Sequence, residues 1–253
     1  MKYSVFWELL KQDIKERNLG SLFGMFWSFF VPLATIIIMW IVFQYGFKRT
    51  DIDGYPYSIW YLAGIIPWFY FADAFMQATN SIKSKSFLIK KTKFNPIYLP
   101  IIKIVSNLII YSVLIIFLLL LYKYYGFEFN IYNLQIIYYI FCLIVFLFAI
   151  SLITSSLVLF IRDISEIVSI LVRFGMWVTP IFWSIKLVPE KYRWIFDYNP
   201  VYYVVEGFRD ALLYRVWFFE KKATIIFWIL TLCLLFIGII IFRRLKEHFG
   251  DVV

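Results

Sequence analysis

Histidine and cysteine are nearly absent from this 253-residue chain, which has one histidine and two cysteines. The single histidine, His248, leaves no basis for a histidine-built metal or catalytic centre. Cys142 and Cys233 both lie inside apolar runs and outside any metal-ligand spacing, where cysteine behaves as a small hydrophobe. Charge is scarce as well: Asp, Glu, Lys and Arg make up 16% of residues, against about 25% in soluble domains. No phosphate cradle of the type G-x-x-x-x-G-K-[ST] occurs, so nucleotide binding would have to be supplied by another polypeptide.

What fills the space is apolar. Hydrophobic residues reach 63% and aromatic ones 23%, where soluble domains are about 45–50% apolar. This composition is that of an integral membrane protein. The amino-terminal stretch MKYSVFWELLKQDIKERNLG carries Glu8, Asp13 and Glu16 with no uninterrupted apolar core. It is not expected to be a cleaved signal peptide, and the chain is expected to be inserted rather than secreted. The formal charge of +9 fits Lys- and Arg-rich cytoplasmic loops better than nucleic-acid binding.

A bilayer core needs roughly 20 apolar residues as a helix. Six segments reach that length, about 25–46, 57–79, 97–122, 134–160, 166–185 and 223–242. The fold is therefore expected to be all-α and polytopic, with both termini on one side. The link between spans two and three, SIKSKSFLIKKTKFN, holds Lys83, Lys85, Lys90, Lys91 and Lys93 and no acid. Lys2, Lys11, Lys15 and Arg17 in the first tail, and Arg243, Arg244 and Lys246 in the last, fall on the same face. That face is expected to be cytoplasmic; Lys48, Arg49 and Lys123 lie on the other.

Residues 1–24 precede the first span. Within them Phe6, Leu9, Leu10 and Ile14 recur at helical spacing, opposite Glu8, Lys11, Gln12, Lys15 and Glu16. This pattern predicts an amphipathic helix over 3–19 lying on the membrane surface; a partly ordered basic tail is the alternative. Between spans five and six, NPVYYVVEGFRDALL has Asn199 as an N-cap and Pro200 as a first helical residue. Residues 200–214 would form a helix of roughly 22 Å, too short to cross. Residues 187–218 thus read as two short helices, about 188–196 and 200–214, forming a re-entrant hairpin on the outer side. The alternative is an amphipathic surface loop. Glu206, Arg209 and Asp210 share a helix face and are expected to turn it toward water.

Three long blocks, KQDIKERNLGSLFGMFWSFFVPL, GIIPWFYFADAFMQATNSIKSKSFLIKKTKFNPIYLP and TPIFWSIKLVPEKYRWIFDYNPVYYVVEGFRDALL, occur in that order. With the topology above they resemble the permease subunits of ATP-binding-cassette exporters, in particular the branch that exports cell-surface polysaccharides such as O antigen. The chain departs from that family's pattern at Phe94-Asn95-Pro96, where Phe-Pro is expected. The resemblance implies a homodimer in the bacterial inner membrane, driven by two copies of a nucleotide-binding ATPase that binds ATP and Mg, and a lipid-linked polysaccharide as substrate. It implies no catalytic residue, metal or cofactor in this chain. It also implies that Ser81–Asn95 holds a coupling helix seated in a groove of the ATPase. There Phe87, Leu88 and Ile89 offer an apolar plug beside Lys90 and Lys91; a basic loop resting on lipid is the alternative. Glu8, Asp13 or Glu16 could add a second ATPase contact.

Asn199, Pro200, Glu206, Arg209 and Asp210 are then candidates for an outer gate. Trp27, Tyr45, Trp60, Tyr61, Trp68 and Tyr70 are candidate pore aromatics, because aromatic rings stack on the C–H faces of sugars. Asp73 and Arg173 are charges inside spans: each could be functional, Arg173 could snorkel to the surface, or the two could pair. Rival readings are an exporter of drugs or other small hydrophobic compounds, and a membrane-embedded transferase acting on lipid-linked sugars. The transferase would have to build its chemistry on Asp51 and Asp53, the one close acid pair in a loop, without a supporting histidine.

Overall fold

A computed structural model describes residues 3–17, 23–24, 26–48, 50–87 and 95–252. Among them the chain is helical apart from connecting segments and one isolated bridge, Ile52 to Tyr55. The helices are α1 (Tyr3–Glu16), α2 (Phe26–Ile41, continued by a π turn Val42–Gly46), α3 (Tyr57–Thr79), α4 (Ser81–Ser84) and α5 (Tyr98–Tyr124). They continue with α6 (Gln135–Leu157, entered through a 3-10 turn Ile131–Leu134), α7 (Asp163–Val178), α8 (Glu190–Asp197) and α9 (Pro200–Arg209, continued by a π turn Asp210–Tyr214). The last two are α10 (Lys222–Lys246) and α11 (Phe249–Val252). Among the described residues, five stretches are long and apolar enough to cross a membrane: Phe26–Gly46, Tyr57–Thr79, Tyr98–Tyr124, Ile131–Leu157 and Lys222–Lys246.

The expected span at 166–185 is shorter than its apolar run. Its helix, α7, has 16 residues and stops at Val178. The reason is local: Thr179 precedes Pro180 and takes an extended conformation, with ψ 133°, because a proline ring clashes with a helical residue before it. Beyond Val178 the chain continues without helix through Thr179–Trp183.

α3 is the axis around which the bundle packs. It is buried along nearly its whole length, whereas α2 exposes most of its surface. Contacts along α3 fix the direction of its neighbours. At its start, Ser58 Oγ accepts hydrogen bonds from Trp40 near the end of α2 (3.1 Å) and from Tyr125 just past α5 (3.2 Å). Toward its end, Gln77 donates to Asn107 in the early turns of α5 (3.2 Å), and Thr79 bonds to Thr154 at the end of α6 (2.8 Å). α6 and α10 run side by side in one direction: Trp228 donates to Tyr138 at their starts (2.9 Å), and Phe160 meets Phe249 beyond their ends. Thus α3, α6 and α10 run one way, and α2 and α5 run the other.

α7 also runs against α3. At its start Ser165 donates to Asn80 (2.7 Å). One side of its last turns passes so close to Trp68 that a Cβ on Gly175 would lie 2.9 Å from the indole. The first and last described helices, α1 and α11, lie at the end of the bundle where α3 finishes. α1 packs on the beginning of α5, and Phe249 joins Ile82, Leu99 and Phe242 in a small apolar cluster there. This is also the end that carries Lys83, Arg243, Arg244 and Lys246, all exposed.

Candidate functional site

At the opposite end, α8 and α9 form the expected helical pair, but its polar residues do not face water. Asn199 starts α9 as anticipated: its Oδ1 accepts the backbone N–H groups of Val201 (3.0 Å) and Tyr202 (3.1 Å), and Pro200 occupies the first turn. Its amide also donates to Thr179 Oγ1 (3.3 Å), tying the start of α9 to the end of α7. Arg209 is 1% exposed. Its Nη1 donates to the carbonyl of Pro180 (2.8 Å) and to Glu206 Oε2 (3.1 Å), its Nη2 to the carbonyl of Ile181 (3.0 Å), and its Nε to the carbonyl of Trp60 (3.3 Å). The guanidinium carbon sits 3.4 Å over the Trp60 ring.

The break at Thr179-Pro180 explains why an arginine is tolerated in this place. Ending α7 early frees carbonyls that would otherwise bond along the helix, and buried carbonyls need donors. Guanidinium supplies several in a rigid fork. The fit depends on two glycines. A Cβ on Gly64 would lie 2.6 Å from Arg209 Nη2, and one on Gly207 would lie 2.1 Å from the Tyr139 ring. Asp210 is also buried and pairs with Lys221. Glu206 alone of the three is partly open, its side chain 20% exposed. The expectation of a water-facing polar stripe is therefore corrected: the hairpin turns Arg209 and Asp210 into the protein, where their partners are.

The loop before α3 joins this assembly. Asp53 accepts hydrogen bonds from Lys186 (2.6 Å) and from the Tyr214 hydroxyl (3.0 Å), which in turn accepts from Trp60 (2.8 Å). Asp53 is thus occupied in holding the loops at this end together, which removes it from the acid pair a transferase would have needed.

At the basic end, α1 is fastened to the bundle by a buried polar network. Asp13, 3% exposed, accepts from Lys103 Nζ (2.5 Å) and from Ser106 Oγ (2.7 Å), and lies 3.6 Å from Arg17. Arg17 donates onward to Ser106 (2.7 Å) and Asn107 (3.0 Å). Glu16 pairs with Lys85, and this contact holds its carboxyl below the usual range. Of the three acids proposed as a second ATPase contact, Asp13 is buried and Glu16 is paired, which leaves Glu8 exposed. Of the coupling residues, Phe87 is described and 48% exposed; Leu88, Ile89, Lys90 and Lys91 lie outside the described residues.

Four of the six pore candidates, Trp60, Tyr61, Trp68 and Tyr70, are packed within the chain at 3% exposure or less. Trp60 carries Arg209, Tyr61 stacks on Phe182, and Tyr70 packs on Tyr111. They build the core around α3 and present no free face. Trp27 and Tyr45, both on the weakly packed α2 and its π turn, are exposed. The intramembrane charges do not pair. Asp73 accepts a hydrogen bond from Tyr111 (2.5 Å), while Arg173 is exposed on α7 and has no ion-pair partner among the described residues.

The helical bundle and its long apolar helices are those of a multi-pass membrane protein, and the family comparison says of which kind. Residues 4–213 match the family described as ABC-2 type transporter, and the chain belongs to that family. Among its relatives is the O-antigen export system permease protein RfbA of Klebsiella pneumoniae, 29% identical over 252 residues, covering 97% of this chain and 93% of the relative. The RfbA protein of Myxococcus xanthus is 21% identical over 248 residues. The polysialic acid transport protein KpsM of Escherichia coli is 25% identical over 240 residues, covering 94% of this chain and 92% of KpsM.

Proposed function

We propose that this chain is the permease of an ATP-driven exporter that moves a lipid-linked, O-antigen-like polysaccharide across the bacterial inner membrane. It works as a homodimer with two copies of a separate ATPase. The observation that carries this reading is alignment over nearly the full length with export permeases for two polysaccharides, O antigen and polysialic acid. Family membership and several apolar spans make it a multi-pass membrane protein.

Six crossings, with both termini cytoplasmic, fit the contacts. The stretch from Ser165 to Ile181 accompanies α3 from Asn80 to the level of Gly64 and Trp60, through Ser165, Gly175 and the Arg209 bonds. That is most of a bilayer core, since α3 rises roughly 30 Å between Trp60 and Asn80 at 1.5 Å per residue. Helix and extended break together supply a fifth crossing that α7 alone is too short to make. The exposed lysines and arginines at the end bearing α1 and α11 support a cytoplasmic assignment for that end.

In this reading the Ser81–Asn95 segment receives the motion of the ATPase and the α8–α9 hairpin closes the outer end. The test is depletion of the chain in cells that make the glycan, with the ATPase intact. Lipid-linked polysaccharide should accumulate on the cytoplasmic side and disappear from the surface. Unchanged surface glycan, with altered resistance to small hydrophobic compounds, would move the substrate to the drug-exporter class.

A further inference from the structure

A second feature of the outer end lies beside the clamp on Arg209 and draws on both helices of the hairpin. Between the hairpin and the first turn of α10 lies a cavity of about 260 Å³. It is lined by carboxylates from two helices, Asp197 closing α8 and Glu206 on α9, by Lys221 and by Lys222 at the start of α10, and by the rings of Phe196 and Tyr202. Pockets for drug-sized ligands run about 300–1,000 Å³, so this one suits a smaller group.

Its charges are only partly used. Lys221 pairs with Asp210, and Glu206 accepts from Arg209 through one oxygen. The exposed side chains of Asp197 and Lys222 make neither a hydrogen bond nor an ion pair among the described residues, although they line the same cavity with opposite sign. Burial nevertheless pushes the Asp197 carboxyl up, against the pull of Lys221. The site therefore offers incompletely paired charges of both signs beside aromatic rings. Its depth is that of the membrane boundary, because Thr224 and Phe227 in the first turns of α10 pack on Tyr203 beside it.

We propose that this cavity seats the headgroup of an amine-bearing phospholipid from the leaflet at this end of the bundle, with phosphate toward Lys222 and ammonium toward Asp197 and Glu206. A primary ammonium has three donors for the carboxylates, and the phosphate offers acceptors to the lysines. The aromatic rings meet the glycerol backbone. A glycerol headgroup supplies the phosphate but brings no cation to the two carboxylates. A quaternary choline brings the cation without N–H donors. The inference rests on membrane insertion and on this cavity, and it stands whether or not the cargo is a polysaccharide.

The experiment is native mass spectrometry of the full-length protein released from vesicles containing equal amounts of phosphatidylethanolamine, phosphatidylcholine and phosphatidylglycerol. Phosphatidylethanolamine should be retained roughly tenfold over phosphatidylglycerol, the equivalent of one charge-assisted hydrogen bond, with phosphatidylcholine between them. Asp197→Asn should bring the ethanolamine and glycerol lipids toward parity. Lys222→Met should weaken retention of all three lipids alike. Both positions are exposed, so neither variant threatens the fold. Equal retention of the three lipids by the unaltered protein would overturn the proposal, as would a preference that survives both substitutions. Protection of Asp197→Cys from a thiol reagent by a soluble oligosaccharide, with no effect of lipid headgroup, would overturn it in favour of a sugar subsite.

Discussion

Replacing Arg209 with methionine tests whether the α8–α9 hairpin is held by the guanidinium fork. Methionine keeps much of the apolar stem and removes every donor. The carbonyls of Pro180 and Ile181 then lose their bonds of 2.8 and 3.0 Å, and Glu206 loses its partner at 3.1 Å. A buried polar group left unsatisfied costs about 1–3 kcal/mol, so the two carbonyls together cost about 2–6 kcal/mol. Removing the need to bury a cation returns part of this. A net loss of about 3 kcal/mol is reasonable, and each 1.4 kcal/mol is tenfold in an equilibrium. The hairpin should therefore release from α3 about a hundredfold more often. Val205 reports the release: it is fully buried and lies beside Gly64 and Arg209. With Cys142 and Cys233 replaced by alanine, Val205→Cys should resist an impermeant thiol reagent applied outside. Adding Arg209→Met should raise its labelling rate by roughly two orders of magnitude. Arg209→Lys should fall between, because one ammonium cannot serve carbonyls on two chain segments. Equal labelling rates with and without Arg209 would refute the clamp.

Two further outcomes follow from the other end. Phe87→Asp should reduce co-purification of the ATPase by at least about tenfold while the permease still inserts, since a charge driven into an apolar groove costs several kcal/mol without a partner; full retention would place the coupling contact elsewhere. Asp13→Asn should loosen α1, because breaking a buried charge pair costs about 3–5 kcal/mol, and trypsin should then cut at Lys11 and Lys15 faster by tenfold or more. Unchanged protection of α1 would show that Leu10 and its apolar neighbours hold the helix by themselves.

The parts of this architecture legible in the sequence were those set by local chemistry. α3 begins after Pro56 and ends at Thr79, as the apolar run indicates, and Asn199-Pro200 starts α9 by capping alone. Thr179-Pro180 was equally local, a stop signal inside TPIFW, but the apolar run continued through it and masked the end of α7. Arg209 could not be read in this way. Its i, i+3 relation to Glu206 is visible in the chain, yet the carbonyls it serves come from 28 and 149 residues away. A polar residue on an amphipathic helix looks water-facing until the partner that buries it is known. Asp13 repeats the lesson: its i, i+4 neighbour Arg17 is legible, but Lys103 is not. The four candidate aromatics on α3 were ambiguous for another reason. Ring type marks both a sugar-stacking face and a core, and in α3 packing claimed them.

These contacts divide the α8–α9 hairpin into unequal halves, and the division bears on how a gate there would work. α9 is buried over most of its length and is joined to α3, α6 and the broken end of α7 through Arg209, Gly207 and Asn199. Moving it alone would expose a guanidinium and strand carbonyls at membrane depth. α8 has no buried residue; its Arg193 bonds to the nearby carbonyls of Lys186 and Val188 and pairs with Glu190 one turn away, and its Phe196 packs edge-on against Trp183 and Tyr202. Little is lost when such a helix lifts, which is the property of elements that open at low free energy. On the gate reading, α9 is then the fixed sill and α8 the moving leaf. The break in α7 follows from the same economy: an unbroken helix through Pro180 would leave Arg209 without the carbonyls that fix α9 in position.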